Sequence, residues 1–221
     1  MKEENKNGQS PEKEQLLSSL RNAEEMYVFM SLCTKMPYVL CDEETFDDEV
    51  LLYYTEEDAQ REGKKLIEQR IPIQIAKIEK KQLLGFFSSL YPMGVNGLLI
   101  NNNMESEARL QLGELVIRPN TEDLPDGKVW VENPQLHLTA LYFMQEMRRQ
   151  EKPELTEELK GLQEEILVNY GRGRFIVAVH KENGMPMLKQ KNGDAYQPIF
   201  TDILEFRKFN KEDQFKTMAI E

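Results

Sequence analysis

The sequence predicts an α+β protein made of two related small units of mixed sheet and helix, joined by a helical segment. Short runs rich in aromatic and β-branched residues alternate with amphipathic stretches at helical spacing. The order of these elements in the first half of the chain returns in the second half. The length of 221 residues, with 40% hydrophobic and 30% charged residues, suits one or two domains with a sizeable core.

The first half begins with a predicted helix. Residues 1–9 are polar and predict a frayed terminus. Ser10 and Pro11 form an N-cap and first-turn pair, and apolar residues at helical spacing extend the helix to about Met26. Aromatic and β-branched runs then predict three strands, at residues 27–32, 37–41 and 50–54, with the acidic residues 42–48 connecting the last two.

The second helix of this half starts at Thr55, because three acidic residues follow this capping side chain, and it ends near Arg70. Residues 71–78 alternate in polarity and predict a half-buried strand, which Pro72 places at a sheet edge. A helix with a broad apolar face follows over residues 80–90. Further strands are predicted at residues 98–101, 114–118 and 129–131.

The second half starts with two predicted helices. Asn133 and Pro134 open the first, which ends near residue 150, and the second covers residues 156–169 before two glycines. The remaining elements are predicted strands at residues 175–180, 185–190, 196–200 and 215–220, with a short helix over residues 204–209.

These elements divide the chain into four parts. They are an N-terminus and helix over residues 1–26, a first unit over 27–118, a linker with helices over 119–170, and a second unit over 171–221. Ile220 lies in a predicted strand with no turn or capping signal after it. We therefore expect the second unit to be incomplete and the natural chain to continue.

Charge and hydropathy exclude several classes of partner. Lysines and arginines number 28 against 39 aspartates and glutamates, a formal net charge of −11, which disfavours nucleic acid and anionic membranes. Residues 1–15 lack the apolar run of a secretory signal, and polar residues interrupt the most apolar stretch, residues 86–100. We expect a cytoplasmic protein with neither a nucleic-acid nor a membrane partner.

The cysteines are Cys33 and Cys41. In a reducing compartment the simplest interpretation is two buried thiols, and a redox pair is the alternative. A structural zinc site usually takes four Cys or His ligands, for which two cysteines are too few.

Three dipeptides recur in the same order in both halves, which indicates a duplication. The first set is Met36 with Pro37, Tyr54 with Thr55, and Ile78 with Glu79; the second is Met185 with Pro186, Phe200 with Thr201, and Ile220 with Glu221. Two unrelated units that share a common order of strand and helix are the alternative.

Two stretches around these positions resemble a known family. One consists of Tyr196, Gln197, Pro198, Ile199, Phe200, Thr201 and Asp202, followed by Glu205 and Phe206. The other consists of Tyr54, Thr55, Glu56, Glu57, Asp58 and Ala59, then Pro72, the turn from Gly94 to Gly97, and Asn101. Both resemble the SseB-like family of bacterial proteins, although Tyr54 stands where phenylalanine is usual. The resemblance covers roughly residues 27–103 and 174–221. It implies a small α+β domain present twice in a cytosolic protein, and it carries over no reaction and no catalytic residue.

The densest candidate for chemistry is the acidic cluster Asp42, Glu43, Glu44, Asp47, Asp48 and Glu49, since oxygen-rich clusters can hold a hard cation. Its spacing does not match a calcium-binding loop, which favours a solvated hairpin. His137 and His180 each lack a neighbouring nucleophile, so neither is expected to act as a general base. Neither cysteine has a histidine or helix N-terminus beside it that would lower its pKa.

Other patterns have structural interpretations. The run from Gly171 to Arg174 lacks the lysine of a phosphate loop and fits a helix C-cap, and Gly94 with Gly97 fits a turn. An adaptable apolar groove is a further possibility, although core packing explains most of the residues that could line it. Those residues are Met26, Met30, Met36, Trp130, Tyr142, Phe143, Met144 and Met147.

The sequence predicts no catalytic, cofactor-binding or metal-ligating residue, and it leaves the binding residues and the oligomeric state open. We interpret the chain as a non-catalytic binding or adaptor protein that recognises a protein partner or a small molecule. One alternative is a metal-assisted hydrolase that uses residues 42–49. A structural subunit of a larger assembly is another.

Overall fold

The computed structural model describes residues 10–118, 124–125, 128–150, 154–180, 182 and 184–221, which form an α+β fold. Residues 1–9, expected to fray, lie outside the described residues. The helices are α1 (Pro11–Asn22), α2 (Glu56–Glu68), α3 (Lys80–Leu90), α4 (Leu112–Leu115), α5 (Pro134–Arg149), α6 (Glu157–Arg172) and α7 (Ile203–Phe209). The strands are β1 (Glu25–Ser31), β2 (Val39–Cys41), β3 (Asp48–Tyr53), β4 (Ile73–Glu79), β5 (Gly97–Ile100), β6 (Ala108–Gln111), β7 (Phe175–His180), β8 (Leu188–Lys189), β9 (Ala195–Tyr196), β10 (Ile199–Phe200) and β11 (Phe215–Ile220).

The chain divides into two compact units, and the division interrupts the sequence. Residues 1–88 and 96–118 form the first unit, and residues 89–95 and 119–221 form the second. Residues 119–170, which the sequence suggests as a linker with helices, therefore fall within the second unit, where α5 packs against α6.

The first unit contains a six-stranded sheet in the order β4, β1, β3, β5, β6, with β2 also paired to β3. Strand β1 runs antiparallel to both of its neighbours, and β3 runs parallel to β5. Helix α2 covers one face, where Gly63 lets the helix approach the ring of Phe29. The Phe29 and Tyr53 rings pack at 5.2 Å between centroids, so aromatic side chains form the centre of this core.

The second unit contains a three-stranded sheet in the order β10, β7, β11, and a separate pair, β8 with β9. Its core combines Val131, Ile176, Ala178 and Phe206. The rings that pack against this cluster belong to Phe200, Phe209 and Phe215.

Both units contain the same arrangement of strands and helix. In the first, β1 lies between β3 and β4 and runs antiparallel to each of them, and α2 connects β3 to β4. In the second, β7 lies between β10 and β11 and runs antiparallel to each of them, and α7 connects β10 to β11. Thr55 caps α2, whereas Asp202, one position after Thr201, caps α7. The order of elements is thus shared, and the capping position differs by one residue.

Several local predictions are wrong. The strand predicted at residues 196–200 is instead two short strands, β9 and β10, which lie in different sheets. The first helix ends at Asn22 and not near Met26, because residues from Glu25 onward pair with β4. Residues 114–118 form no strand, and the strand in this region, β6, ends earlier, at Gln111. A capping box that includes Glu114 starts α4 directly after it. Residues 129–131 pair with no described strand, although Val131 is buried in the core.

Among the described residues, no helix has the length and apolar character needed to cross a membrane.

Candidate functional site

The acidic residues between β2 and β3 are held apart by separate partners. Asp42 Oδ1 accepts hydrogen bonds from the amides of Glu44 and Thr45, which closes a tight turn. These amide hydrogen bonds hold the pKa of Asp42 below its ordinary value. Asp47 accepts hydrogen bonds from Asn96 Nδ2 at 2.7 Å and Gln111 Nε2 at 2.6 Å. These carboxylates therefore stabilise a loop and its neighbouring strands.

Glu49, at the start of β3, is the buried member of this segment. Arg109 Nε lies 3.3 Å from Glu49 Oε1, and the same guanidinium contacts Asp42 and Glu107. Burial raises the pKa of Glu49 despite the attraction of Arg109. Within the described part of the chain, residues 42–49 contribute no group of three converging metal ligands.

The two cysteines are free, and the expectation that both are buried is wrong. Cys33 is half-buried and Cys41 is exposed, because it occupies the last position of β2 before the acidic turn. Partial burial of its sulfur and the nearby aspartates raise the pKa of the Cys41 thiol. A raised pKa keeps the thiol protonated at neutral pH, which opposes a nucleophilic role.

The two histidines lie in different surroundings within the second unit. His180 ends β7, accepts a hydrogen bond from the Glu182 amide through Nδ1, and packs edge-on against Phe215. His137 lies in the first half of α5 and is 9% exposed. Its Nδ1 is buried and makes no hydrogen bond in the described structure.

A cluster of potential metal ligands surrounds His137. Its Nδ1 lies 3.6 Å from Asp202 Oδ2, and ligand atoms of His137, Asp202 and Glu205 all lie within 4.8 Å of one another. Among the residues that the structure describes, this is the one such group of three. Burial acts to raise the pKa of Asp202. Contact with the His137 ring and hydrogen bonds from Glu205 N and Thr201 Oγ1 outweigh burial, so the pKa is lowered.

Sequence reasoning missed this cluster because its members lie far apart in the chain. His137 is on α5, whereas Asp202 and Glu205 are at the start of α7. The available signal was the capping Asp202, which comes directly before a short helix. The sequence alone gives no indication that α5 brings a histidine to this cap.

A cavity of about 540 Å³ lies at the C-terminal end of α6, entirely within the second unit. It is lined by Trp130, Glu132, Asn133, Gly171, Arg172, Gly173, Arg174 and Glu221. Gly173 caps α6 within the glycine-rich run for which the sequence predicts a C-cap, although the helix continues past the predicted end at Asn169 to Arg172. A side chain at Gly173 would collide with Phe175 and with Asn133 Oδ1, so only glycine lets the chain pass this close.

Asn133 fixes the wall of this cavity. Its Nδ2 donates hydrogen bonds to the carbonyl oxygens of Arg174 at 2.6 Å and Thr201 at 2.8 Å. These bonds tie the start of α5 to the segments before β7 and α7. The indole Nε1 of Trp130, also in this lining, is buried without a hydrogen-bond partner in the described structure.

Charges of both signs border the cavity. Arg172 is exposed and forms no ion pair within the described residues, whereas Arg174 pairs with Glu221. Glu132 and the carbonyl groups at the end of α6 add negative potential. The cavity therefore suits a molecule that carries both a negative and a positive group.

The residues considered for an adaptable apolar groove do not gather in one unit. Met26, Met30 and Met36 belong to the first unit, and Met26 is fully buried in β1. Trp130 and residues 142–147 belong to the second unit, where Met144 is exposed.

No family model matches the chain, and no curated protein matches it. Two solved structures align with it, each with a TM-score of 0.25. Tic22 from Plasmodium falciparum is 15% identical, and the match covers 93% of this chain and 82% of that one. Anabaena Tic22, described as a protein-transport protein, is 10% identical, with coverage of 94% and 82%. At that TM-score neither likeness supports an inference about this chain, and the resemblance to the SseB-like family stays a prediction.

Proposed function

We propose that this chain is a non-catalytic binding protein whose second unit takes a small zwitterionic ligand, of the chemical class of a free amino acid. The observation that carries this proposal is the cavity of about 540 Å³ at the end of α6, bordered by arginines and glutamates together. Cavities of this size are typical of small-molecule sites.

Arg172 supplies the anion-binding group. It forms no ion pair within the described residues, so its guanidinium is available for a bidentate contact with a carboxylate. Arg174 is held by Glu221 and serves as a second, partly neutralised positive charge.

The ammonium group of such a ligand would lie toward Glu132 and the C-terminal carbonyls of α6. A helix C-terminus carries partial negative charge, which favours a cation and disfavours a purely anionic ligand. The ring of Trp130 adds an aromatic wall.

The test is a thermal-shift and calorimetric screen of the full chain against the common amino acids at constant ionic strength. We expect at least one to bind and raise the melting temperature. Arg172→Gln should weaken that binding at least about tenfold. Arg149→Gln, at the end of the equally long α5, is the matched control and should leave it unchanged.

Two analogues test the zwitterionic requirement. Replacing the ammonium group by a keto group, or removing the carboxylate, should each weaken binding. No binding by any amino acid, or equal binding to the wild type and the Arg172→Gln variant, would refute the proposal.

A second candidate is an adaptor or subunit role that uses β4, which is at the end of its sheet in the strand order. Beside it lies an apolar groove of about 270 Å³ that includes Gly63, Ile67 and Ile75, and Ile67 is 58% exposed. Such an edge can accept an added strand from a second copy of this chain. Light scattering should then report a dimer that Ile67→Glu disrupts; a monomer at all concentrations would refute this candidate.

A further inference from the structure

His137 presents a buried nitrogen that no hydrogen bond explains. The side chain is 9% exposed, and its Nδ1 has no donor or acceptor at hydrogen-bond distance in the described structure. A buried polar atom without a partner costs free energy, so its position calls for a ligand or ion. The nearest polar atom is Asp202 Oδ2, at 3.6 Å.

Asp202 faces this nitrogen with an oxygen that can still accept. Its Oδ1 accepts from the amides of Leu204 and Glu205, which caps α7. Its Oδ2 accepts from Thr201 Oγ1 at 2.8 Å. Because a carboxylate oxygen has two lone pairs, Oδ2 keeps one toward His137.

Glu205 is the third member of the group, in the first turn of α7 and half-buried. Its carboxylate also pairs with Lys208 on the same helix. Ion pairs between half-exposed side chains contribute little, so exchange of Lys208 for a doubly charged cation costs little free energy.

We propose that His137 Nδ1, Asp202 Oδ2 and a carboxylate oxygen of Glu205 bind a divalent transition-metal ion, of which Zn²⁺ fits best. One imidazole nitrogen with two carboxylate oxygens is a donor set that zinc prefers over calcium or magnesium. Two carboxylates balance the charge of the ion.

The geometry requires only a small contraction. Bond lengths of about 2.0–2.1 Å in a tetrahedral site place ligand atoms roughly 3.3 Å apart. The His137 and Asp202 atoms are already 3.6 Å apart, and the widest separation in the group is within 4.8 Å. Three protein ligands leave a fourth coordination position for water or for a small ligand.

A simple histidine–aspartate hydrogen bond is the competing explanation. The distance of 3.6 Å exceeds that of a hydrogen bond, and Thr201 already donates to the same oxygen. An ion between the two side chains satisfies both, and it links α5 to the start of α7.

The test uses the full chain with Cys33→Ser and Cys41→Ser, so that the thiols do not bind the ion, after treatment with a chelator. Titration calorimetry with Zn²⁺ should give one ion per chain and a saturable rise in melting temperature of about 5 °C. Mg²⁺ and Ca²⁺ should bind far more weakly.

Two variants decide the assignment. His137→Gln and Asp202→Asn should each lower Zn²⁺ affinity at least about tenfold. Asn still caps a helix, so Asp202→Asn keeps α7 in place and remains decisive if His137→Gln fails to fold. His180→Gln is the matched control and should bind as the parent does. Absence of Zn²⁺ binding, or parental affinity in the Asp202→Asn variant, would overturn the proposal.

Discussion

Arg109 Nε lies 3.3 Å from Glu49 Oε1, while Oε2 of the same carboxylate is buried without a hydrogen-bond partner in the described structure. The guanidinium therefore satisfies half of a buried carboxylate. Burial outweighs this attraction, and the pKa of Glu49 is raised. The negative charge of Glu49 therefore lowers the free energy of unfolding at neutral pH.

Glu49→Gln tests that cost. A raised pKa in the folded state means that Glu49 contributes stability at pH values below its unfolded pKa, and this contribution is lost as pH rises through the folded value. The variant should gain stability relative to the wild type as pH rises from below the ordinary pKa of a glutamate to neutrality. Urea unfolding at several pH values measures the difference, and a difference that does not change with pH would contradict the argument.

The pKa of Glu62 on α2 is shifted in the opposite direction to that of Glu49. Burial acts to raise its pKa, but hydrogen bonds from Lys65, Asn103 and Arg61 outweigh it, and the pKa is lowered. Its contribution is present above the unfolded pKa and is lost as pH falls through the folded value.

Glu62→Gln should therefore destabilise the chain by about 1.5 kcal/mol at neutral pH, with a smaller loss in acid. Glu57→Gln, exposed on the same helix, is the control and should change stability by less than about 0.5 kcal/mol. If the two variants unfold at the same denaturant concentration, the buried network around Glu62 adds nothing to stability.

Asn133→Asp should be severely destabilising. Aspartate cannot donate to the carbonyl oxygens of Arg174 and Thr201, and it would place a buried negative charge against both. We expect a loss of about 3 kcal/mol or more, measured by thermal unfolding. Asn192→Asp, on an exposed turn of the same unit, loses only a solvent-exposed hydrogen bond to Asp194 and should cost less than about 1 kcal/mol. Equal melting temperatures for both variants would show that Asn133 does not fix this region.

Alanine should have opposite effects at two glycines. Gly94 has a φ of 89°, and a Cβ there would lie 2.7 Å from the Pro134 carbonyl oxygen, so Gly94→Ala should cost about 2 kcal/mol or more. Gly161 is inside α6 with open space around it, so Gly161→Ala should stabilise by roughly 0.5–1 kcal/mol. Denaturant unfolding that ranks them in the reverse order would exclude this account.

The local elements were largely predictable, because caps and hydrophobic periods are local signals. Ser10 and Thr55 both cap helices where the sequence places them. The end of the first helix was not predictable from local signals, since pairing of β1 with β4 competes with helix formation at residues 24–26. Strand β6 escaped detection because it has only four residues, Ala108–Gln111, which pair only with β5 and are too few to show a pattern of their own.

The candidate sites were harder to predict than the elements. The acidic residues before β3 were visible, but their hydrogen bonds to Asn96 and Gln111 come from elements that are distant in sequence. The approach of His137 to Asp202 likewise depends on how α5 packs, which no local pattern encodes.

Residues 89–95 belong to the second unit although the first unit flanks them on both sides in sequence. A ribosome makes the chain from the N-terminus, so this segment emerges before Pro134 and Leu138, the residues against which Gly94 packs. Met93 and Val95, on either side of Gly94, are both buried in the finished protein. This segment therefore cannot reach its final packing during translation until α5 has been made, and a chain released early would present these apolar side chains to chaperones.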